Sequence, residues 1–571
     1  MCFVKKNAAI MVDFLGLGRR AKDVYRAPSK ILENPDAIVI GSGIGGLGLA
    51  SLLTQRRGMK VLVLEANDVP GGCTHVHELG NFEFNTGIHS IGDMADGTPT
   101  RNLIDYVTQG QLGWARMPEI HEVCTFGDEV YNWHSSPEAN VEEIARRMPG
   151  EGDARKYYAL EDKIAKQAAP WGLTKLYPEW IPTSVREALY RATAGPWRRY
   201  MQKSALEVLQ GELGFSERLT AAYSYMYGNY GRVPAKVPFS LHAIVLAHYR
   251  MGAFYPVGGP AQFAESTIPI IENGGGQVAV SAPVERILIE KGRAVGVRLK
   301  SGQEIRAKVT FSDASAYTTF TQLLPQDVSA EHGYIEKMSK MQPSPPHFFV
   351  MLGYDKAIDL PQHIIWHMPQ GKGVSKYDIG AADAQFRSGT NMDAMACYFL
   401  SPSARDPLFS LRYPNKSTLI ALTEMPWLEE CARSDSKKKD IEGRLTETMM
   451  GLVHQYYPQL KNERPALVHA AAPVGCNPTS WQGSSYGLAV TPERYLRDTH
   501  WLRPATTIPG LYLSGQDALS PGFAGALGGA AMAYAVYTGD WLCLVKGFAK
   551  PSRALLTRKI ASARSDDAEA A

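Results

Sequence analysis

Apolar positions along this chain first condense between residues 36 and 65. Ala37-Ile38-Val39-Ile40 is an unbroken apolar run of strand length, bounded by Asp36 and Gly41. A run apolar at every position predicts a strand buried on both faces, as in a parallel sheet. Leu47 to Leu53 mixes Leu, Ala and Gly at helical length, and Val61-Leu62-Val63-Leu64 is a second apolar run ending in Glu65. The predicted order is strand, glycine turn, helix, strand. A helix is predicted from about Ala261 to Asn273, stopped by Gly274-Gly275-Gly276. Strands are predicted at 278–280 and 284–289. Val295, Val297 and Leu299 then alternate on a further strand after the Lys291-Gly292 turn, and 305–311 forms another after Ser301-Gly302. Ile508 to Leu513 reads as a last strand. The weakly polar stretch from Ala526 to Val545 is long enough to span a bilayer. Gly528, Gly529, Gly539 and Asp540 interrupt it, so a buried helix is predicted instead.

The pattern is lost between Trp114 and Arg250, and again from Gln342 to Pro473. The first of these stretches carries Tyr157, Tyr158, Trp171, Tyr177, Trp180, Tyr190, Trp197, Tyr200, Tyr223, Tyr225, Tyr227 and Tyr230. Helical spacing runs through residues 203–228. Aromatic rings with polar ends suit an apolar tunnel or a membrane interface. An ordinary helical core explains any one of them equally well. Together they predict a substrate-binding domain for a long apolar ligand.

With 571 residues the chain exceeds what one core holds, so at least two folding units are expected. A formal net charge of +3 gives no nucleic-acid footprint. The seven cysteines are scattered, odd in number and never spaced as a metal pair, which points to a reduced, intracellular compartment without a bound metal. No secretory signal pattern opens the chain. In residues 1–35, Lys5, Lys6, Arg19, Arg20, Lys22, Arg26 and Lys30 outnumber Asp13 and Asp23, while Ile10, Phe14, Leu17 and Ala21 recur at helical spacing. This basic arm reads either as an amphipathic helix on a membrane surface or as a loosely ordered terminus. The small, charged tail at 551–571 reads as mobile.

The chemistry is concentrated in the turns. Gly41-Ser42-Gly43-Ile44-Gly45-Gly46 follows the first strand at once. Gly41 permits the tight turn, Gly43 lets backbone approach a pyrophosphate, and Gly46 lets the helix pack close to the sheet, so that N–H groups at the helix start face the anion. Glu65 lies 22 residues after Gly43 (65 − 43), where a carboxylate accepts ribose hydroxyls. A lone glycine fingerprint is weak; with both strands, the helix and the acid in place it predicts a bound dinucleotide.

Glu65-Ala66, the short loop and Gly71-Gly72 resemble the first motif of the FAD-dependent amine oxidase and phytoene desaturase superfamily. Within it, Gly71-Gly72-Cys73-Thr74-His75, Phe84-Asn85-Thr86-Gly87-Ile88-His89-Ser90-Ile91-Gly92, and Leu511 to Asp517 followed by Gly525-Ala526-Leu527-Gly528-Gly529-Ala530 resemble the all-trans-retinol 13,14-reductase (retinol saturase) family, with carotenoid isomerases and desaturases as cousins. The resemblance is close over about 36–95 and 500–535. It implies an α/β fold: a Rossmann-like FAD-binding domain at 36–110, 251–330 and 475–550, and a discontinuous α+β substrate domain at 111–250 and 331–474. It implies FAD held by Gly41, Ser42, Gly43, Gly45, Gly46, Glu65, Ala66, Gly71 and Gly72, with Val284 on the adenine side, Asp517 on the ribityl chain, and Gly515, Gly525 and Ala526 at the flavin end. It places His89 near the flavin, as proton donor or neighbour of the ring. The implied activity is reduction of a double bond in a retinoid or carotenoid, with an external electron donor. A carotenoid isomerase or desaturase would use the same frame. An amine oxidase fits less well, because the C-terminal motif lacks the cysteine that often tethers FAD. A redox-inactive lipid carrier fits less well again, because the glycines and acids are intact.

Overall fold

The computed structural model describes residues 25, 27–177, 181–471, 483–495 and 501–546. One half is built on a five-stranded parallel sheet in the order Leu511–Leu513, Val309–Ser312, Ala37–Ile40, Val61–Leu64, Gln277–Ala279. Ile40 lies opposite both Leu64 and Ser312, and Ser312 lies opposite Leu513. Three strands far apart in sequence therefore end side by side. The loops that leave them, at Gly41, Asp313 and Ser514, converge at the carboxyl edge, where open α/β sheets bind ligands.

Both faces of this sheet are covered, which is why Ala37–Ile40 and Val61–Leu64 are apolar at every position. Leu47, Leu53, Phe263, Ile271, Leu527 and Ala531, from helices Ile44–Arg57, Gln262–Asn273 and Gly522–Thr538, pack on one face with Val39 and Val63. On the other, Ile38 and Leu62 meet Ile287, Val297 and Ile305 of a three-stranded antiparallel sheet, Val284–Glu290, Arg293–Leu299 and Glu304–Arg306. The single strand expected over 305–311 is in fact two. Glu304–Arg306 closes the antiparallel sheet, and after Ala307 and Lys308 the chain enters the parallel sheet as Val309–Ser312. Burial changes there from alternating to complete, and that change marks the break.

The stretch 526–545 is not one helix. Helix Gly522–Thr538 ends at Gly539 in the left-handed region (φ 72°), and a short second helix, Leu542–Lys546, follows. No helix among the described residues is long and apolar enough to cross a membrane. A side chain at Gly48 would meet the Leu527 Cδ1 atom at 2.6 Å, so the Leu527 side chain of the C-terminal helix packs directly on the fingerprint helix at this glycine.

The other half is a seven-stranded mixed sheet, ordered Leu467–Ala471, His347–Tyr354, Ser417–Glu424, Cys397–Leu400, Ile364–His367, Ile120–Phe126, Glu129–His134. Alternate residues of the strand His347–Tyr354 serve two cores: Phe349 and Met351 face the helical lobe, while Phe348, Val350 and Leu352 face helix Asp435–Tyr456. The lobe holds most of the aromatic residues. Tyr157, Trp171, Trp197, Tyr200, Tyr223, Tyr225, Tyr227 and Tyr230 are all buried in one cluster, with Trp171 stacked on Trp197 at 5.0 Å and Trp133 on Tyr225 at 4.7 Å. The helical spacing over 203–228 does not give one helix. Glu207–Glu212 is a wide π-turn, Gly214 then takes a left-handed φ of +69°, and Glu217–Tyr223 and Tyr225–Asn229 follow as separate short helices.

Residues 1–24 and Arg26, which hold most of the basic arm, lie outside the described residues, as do Trp180 and the tail 551–571. Residues 27–35 form no helix and are pinned by a hydrogen bond of 2.7 Å from the Leu32 N–H to Gln277.

Candidate cofactor and substrate site

The parallel sheet brings three glycine segments together. Gly41 turns out of its strand with φ +95°. A methyl on Gly46 would strike the Gly41 carbonyl, and one on Gly45 would strike the backbone of Gly515. Gly72 sits against the Gly43 backbone, its Cβ position 3.0 Å from the Gly43 Cα. Ser514 Oγ donates to the Gly45 carbonyl at 3.1 Å. Ser42 ties the two glycine turns to the acid. Its N–H and hydroxyl donate to Glu65 Oε2 at 3.0 and 2.6 Å, and its hydroxyl accepts from the Gly71 N–H at 3.1 Å. Asn67 donates twice to Glu65 Oε1, at 2.9 and 2.8 Å. Ala66 beside it is exposed. Val284 is half-buried opposite Leu299, on the segment whose Ala282 N–H donates to the Glu65 carbonyl at 2.8 Å. Gly525 and Ala526 lie in the first turn of helix Gly522–Thr538. Asp517 is buried and takes backbone N–H groups from Ala316 at 2.9 Å and Leu488 at 3.2 Å, with Arg494 at 3.5 Å.

One acid inside this cradle was given no role of its own from the sequence. Asp313 Oδ2 accepts from the Gly46 N–H at 2.8 Å, and a Cβ on Gly43 would come within 2.7 Å of the same oxygen. Loss of hydration first, then the nearby Glu65 and Asp517, push its carboxyl up to about 8. A signal was present: Glu65, Asp313 and Asp517 each follow a strand of the parallel sheet at its carboxyl end.

The second wall begins at the second glycine turn. A Cβ on Gly87 would lie 2.8 Å from the Cys73 carbonyl oxygen, and Thr86 Oγ1 donates to the Cys73 and His75 carbonyls at 3.1 and 2.9 Å. His89 follows, half-buried, its Nδ1 sealed from solvent and without a hydrogen-bond partner. Burial, helped by Arg405 and His347, pushes its pKa down to about 3, so the ring is neutral. Tyr249 Oη donates to the Ser90 carbonyl at 3.1 Å, and Ile91 bridges to Phe254. The preceding hairpin is locked by a buried triad: Arg412 reaches Glu83 at 2.5 and 2.9 Å and Asp406 at 2.7 Å.

Residues 39–107 match the family of NAD(P)-binding Rossmann-like domains. Over 88% of its length the chain is 33% identical to the all-trans-retinol 13,14-reductase of Danio rerio, covering 86% of that protein. It belongs to the all-trans-retinol 13,14-reductase family. The Homo sapiens protein of that name is 30% identical over 88% of the chain and 85% of its own length. Cyclohexylamine oxidase from Brevibacterium oxydans shares the fold at a TM-score of 0.56 and 16% identity, across 88% of this chain and 97% of its own. As a member of the reductase family the chain is an oxidoreductase, and the Rossmann-like α/β fold read from its glycines is the fold it has. The glycine cradle, with an acid at the second strand end and no side chain intruding from Gly43, Gly45 or Gly46, fits a dinucleotide.

Proposed function

We propose that this reductase-family member uses FAD to reduce a carbon–carbon double bond in a long apolar polyene of the retinoid class. The observation that carries the reading is the meeting of three glycine backbones around Ser42 and Glu65, at the edge of a half packed with buried aromatic residues. In this reading the N–H groups following Gly43 hold the pyrophosphate, and Glu65 exchanges its protein donors for ribose hydroxyls. Ala66 and Val284 border the adenosine, while Gly71 and Gly72 clear the path of the extended cofactor. Asp517 faces the ribityl chain. The first turn of helix Gly522–Thr538, with Gly525 and Ala526, turns its N–H groups toward the pyrimidine edge, where they stabilise negative charge. FAD supplies hydride transfer when bound. The aromatic core excludes water, and Thr86 and Cys73 fix the loop that carries His89. Because its ring is neutral, His89 contacts and orients the substrate or the flavin. A proton for the second carbon reaches the site by way of water or another group. Exposed Leu173, Val185 and Leu189 on the helical lobe, with Arg191 nearby in sequence, support a peripheral contact with a membrane from which such a substrate is drawn.

The test is the visible spectrum of the purified protein before and after anaerobic reduction, followed by addition of all-trans-retinol. An oxidised-flavin spectrum that bleaches, then returns as a dihydro product forms, is the expected result. A colourless protein that cannot be reconstituted with FAD would overturn the reading in favour of a lipid carrier. Bleaching that no retinoid reverses, but a carotene isomerises or an amine prolongs, would assign the site to another branch of the superfamily.

A further inference from the structure

Two ionisable side chains are buried behind His89 without partners. Glu122, from the strand Ile120–Phe126, is 1% exposed, and neither carboxylate oxygen accepts a hydrogen bond. Tyr225 and the Trp366 indole stand beside it, yet neither closes a bond of acceptable geometry. Arg405, the last residue of helix Pro402–Arg405, is also 1% exposed, and none of its three guanidinium nitrogens has an acceptor. Its guanidinium lies 5.8 Å from the centre of the Tyr255 ring, on the strand whose Phe254 bridges to Ile91. Arg405 is close enough to both His89 and Glu122 to shift each of them electrostatically. Burial raises the Glu122 carboxyl to about 8, so a neutral acid and a buried cation lie near the His89 loop and do not satisfy each other.

Such an arrangement is unfavourable by itself. A buried cation and a buried carboxyl are each desolvated at a cost that only hydrogen-bonded partners offset. Unfilled donors beside unfilled acceptors match one ligand group especially well. A hydroxyl accepts from the guanidinium through its lone pairs and donates its hydrogen to the carboxyl, whereas a hydrocarbon would satisfy neither.

We infer that Arg405 and Glu122 form the recognition site for an alcohol group at the end of the polyene, with Arg405 donating to the hydroxyl oxygen and Glu122 accepting its hydrogen. The assignment rests on the function proposed above and adds the residues that select the substrate within it. It also agrees with the placement. The carbinol carbon of retinol is bonded directly to carbon 14, so an enzyme that reduces the 13,14 bond must hold the hydroxyl close to the reacting group, as Arg405 is close to the His89 loop.

The test measures binding of all-trans-retinol, and of its analogue with a methyl in place of the carbinol, to the oxidised holoenzyme by perturbation of the flavin spectrum. Wild type is expected to prefer retinol by roughly 10- to 100-fold, the worth of hydrogen bonds to charged partners. Arg405→Met and Glu122→Leu are each expected to erase most of that preference by weakening retinol while leaving the hydrocarbon unchanged. The double variant should lose little more than Arg405→Met alone, because both side chains act on one hydroxyl. An unchanged flavin spectrum and thermal midpoint certify the fold, and Glu122→Leu keeps the test open if Arg405→Met does not fold. Equal weakening of both ligands, or a Glu122→Leu variant that keeps the full preference, would overturn the assignment and leave the proposed function standing. A wild-type holoenzyme that binds neither polyene would overturn both.

Discussion

In the cofactor half, Ser42, Glu65, Ser312, Ser514 and Asp517 are buried, and each is hydrogen-bonded within the protein. In the substrate half, Glu122, Arg405 and the hydroxyls of Tyr157, Tyr223 and Tyr398 are buried as deeply and have no partner. Buried polar groups are almost always satisfied, so the exceptions call for an account. The first half is preorganised: a cofactor there exchanges one set of good partners for another. The second holds hydrogen-bonding capacity that the fold alone does not use, which is what a selective ligand site requires.

The largest effect is expected at the joint between the halves. Arg412 sits between Glu83, on the hairpin after the second glycine turn, and Asp406, one residue beyond Arg405. Arg412→Met would leave two carboxylates buried without their cation, at a cost of about 3–5 kcal/mol. A drop of that size in unfolding free energy in denaturant is the predicted outcome, with loss of order in both halves together. A change under about 1 kcal/mol would show that the halves are not coupled through this triad.

Next comes the cradle itself. A Gly45→Val side chain would strike the Gly515 backbone and the Asp313 carboxylate. Backbone cannot yield as a flexible side chain can, so overpacking of about 1–3 kcal/mol is expected at this point. Because the proposed reading sets this turn against the pyrophosphate, flavin content, read as visible absorbance per protein, is predicted to fall to near zero. The Trp and Tyr near-ultraviolet signal of the aromatic core should remain. Loss of that signal as well would mean that the two halves do not fold separately, and would blunt the contrast.

The same contrast explains what could be read from the sequence. Parallel strands buried on both faces print as unbroken apolar runs, and glycines forced by backbone contact print as glycines, so Ala37–Ile40, Val61–Leu64 and the turns at 41–46 and 71–72 were legible. Asp313 was not, because its place in the cradle depends on Val309–Ser312 pairing with Ala37–Ile40 across 267 residues of sequence, from Gly46 to Asp313. Arg405 and Glu122 were not legible for the same reason. They meet only once a seven-stranded sheet has been assembled from segments between residues 120 and 471, and nothing local marks either of them. The helix expected over 203–228 failed because Gly214 needs a left-handed turn that apolar spacing does not register.

The finest distinction concerns a single proton in the cofactor half. Asp313 offers a carboxyl to the same N–H row that a pyrophosphate would occupy, and its neighbours Glu65 and Asp517 are acids, with Arg494 set against Asp517. Its ionisation is pushed up to about 8, so below that pH the empty cradle holds a neutral acid, and above it a charge that repels the cofactor. Bringing in the pyrophosphate raises the group further, so binding takes up a proton once the pH exceeds about 8. FAD affinity of the wild-type apoprotein is therefore predicted to be nearly level from pH 6 to 7.5 and to weaken above 8, reaching about tenfold, or ~1.4 kcal/mol, near pH 9. Asp313→Asn keeps the acceptor for Gly46 and has no proton to lose, so its affinity should match wild type at pH 7 and exceed it about tenfold at pH 9. Quenching of FAD fluorescence on titration with apoprotein at pH 7, 8 and 9 measures this directly. If both proteins weaken in parallel, the group that titrates against the cofactor is not Asp313. The cofactor half would then still be preorganised, but Asp313 would have no part in admitting the ligand.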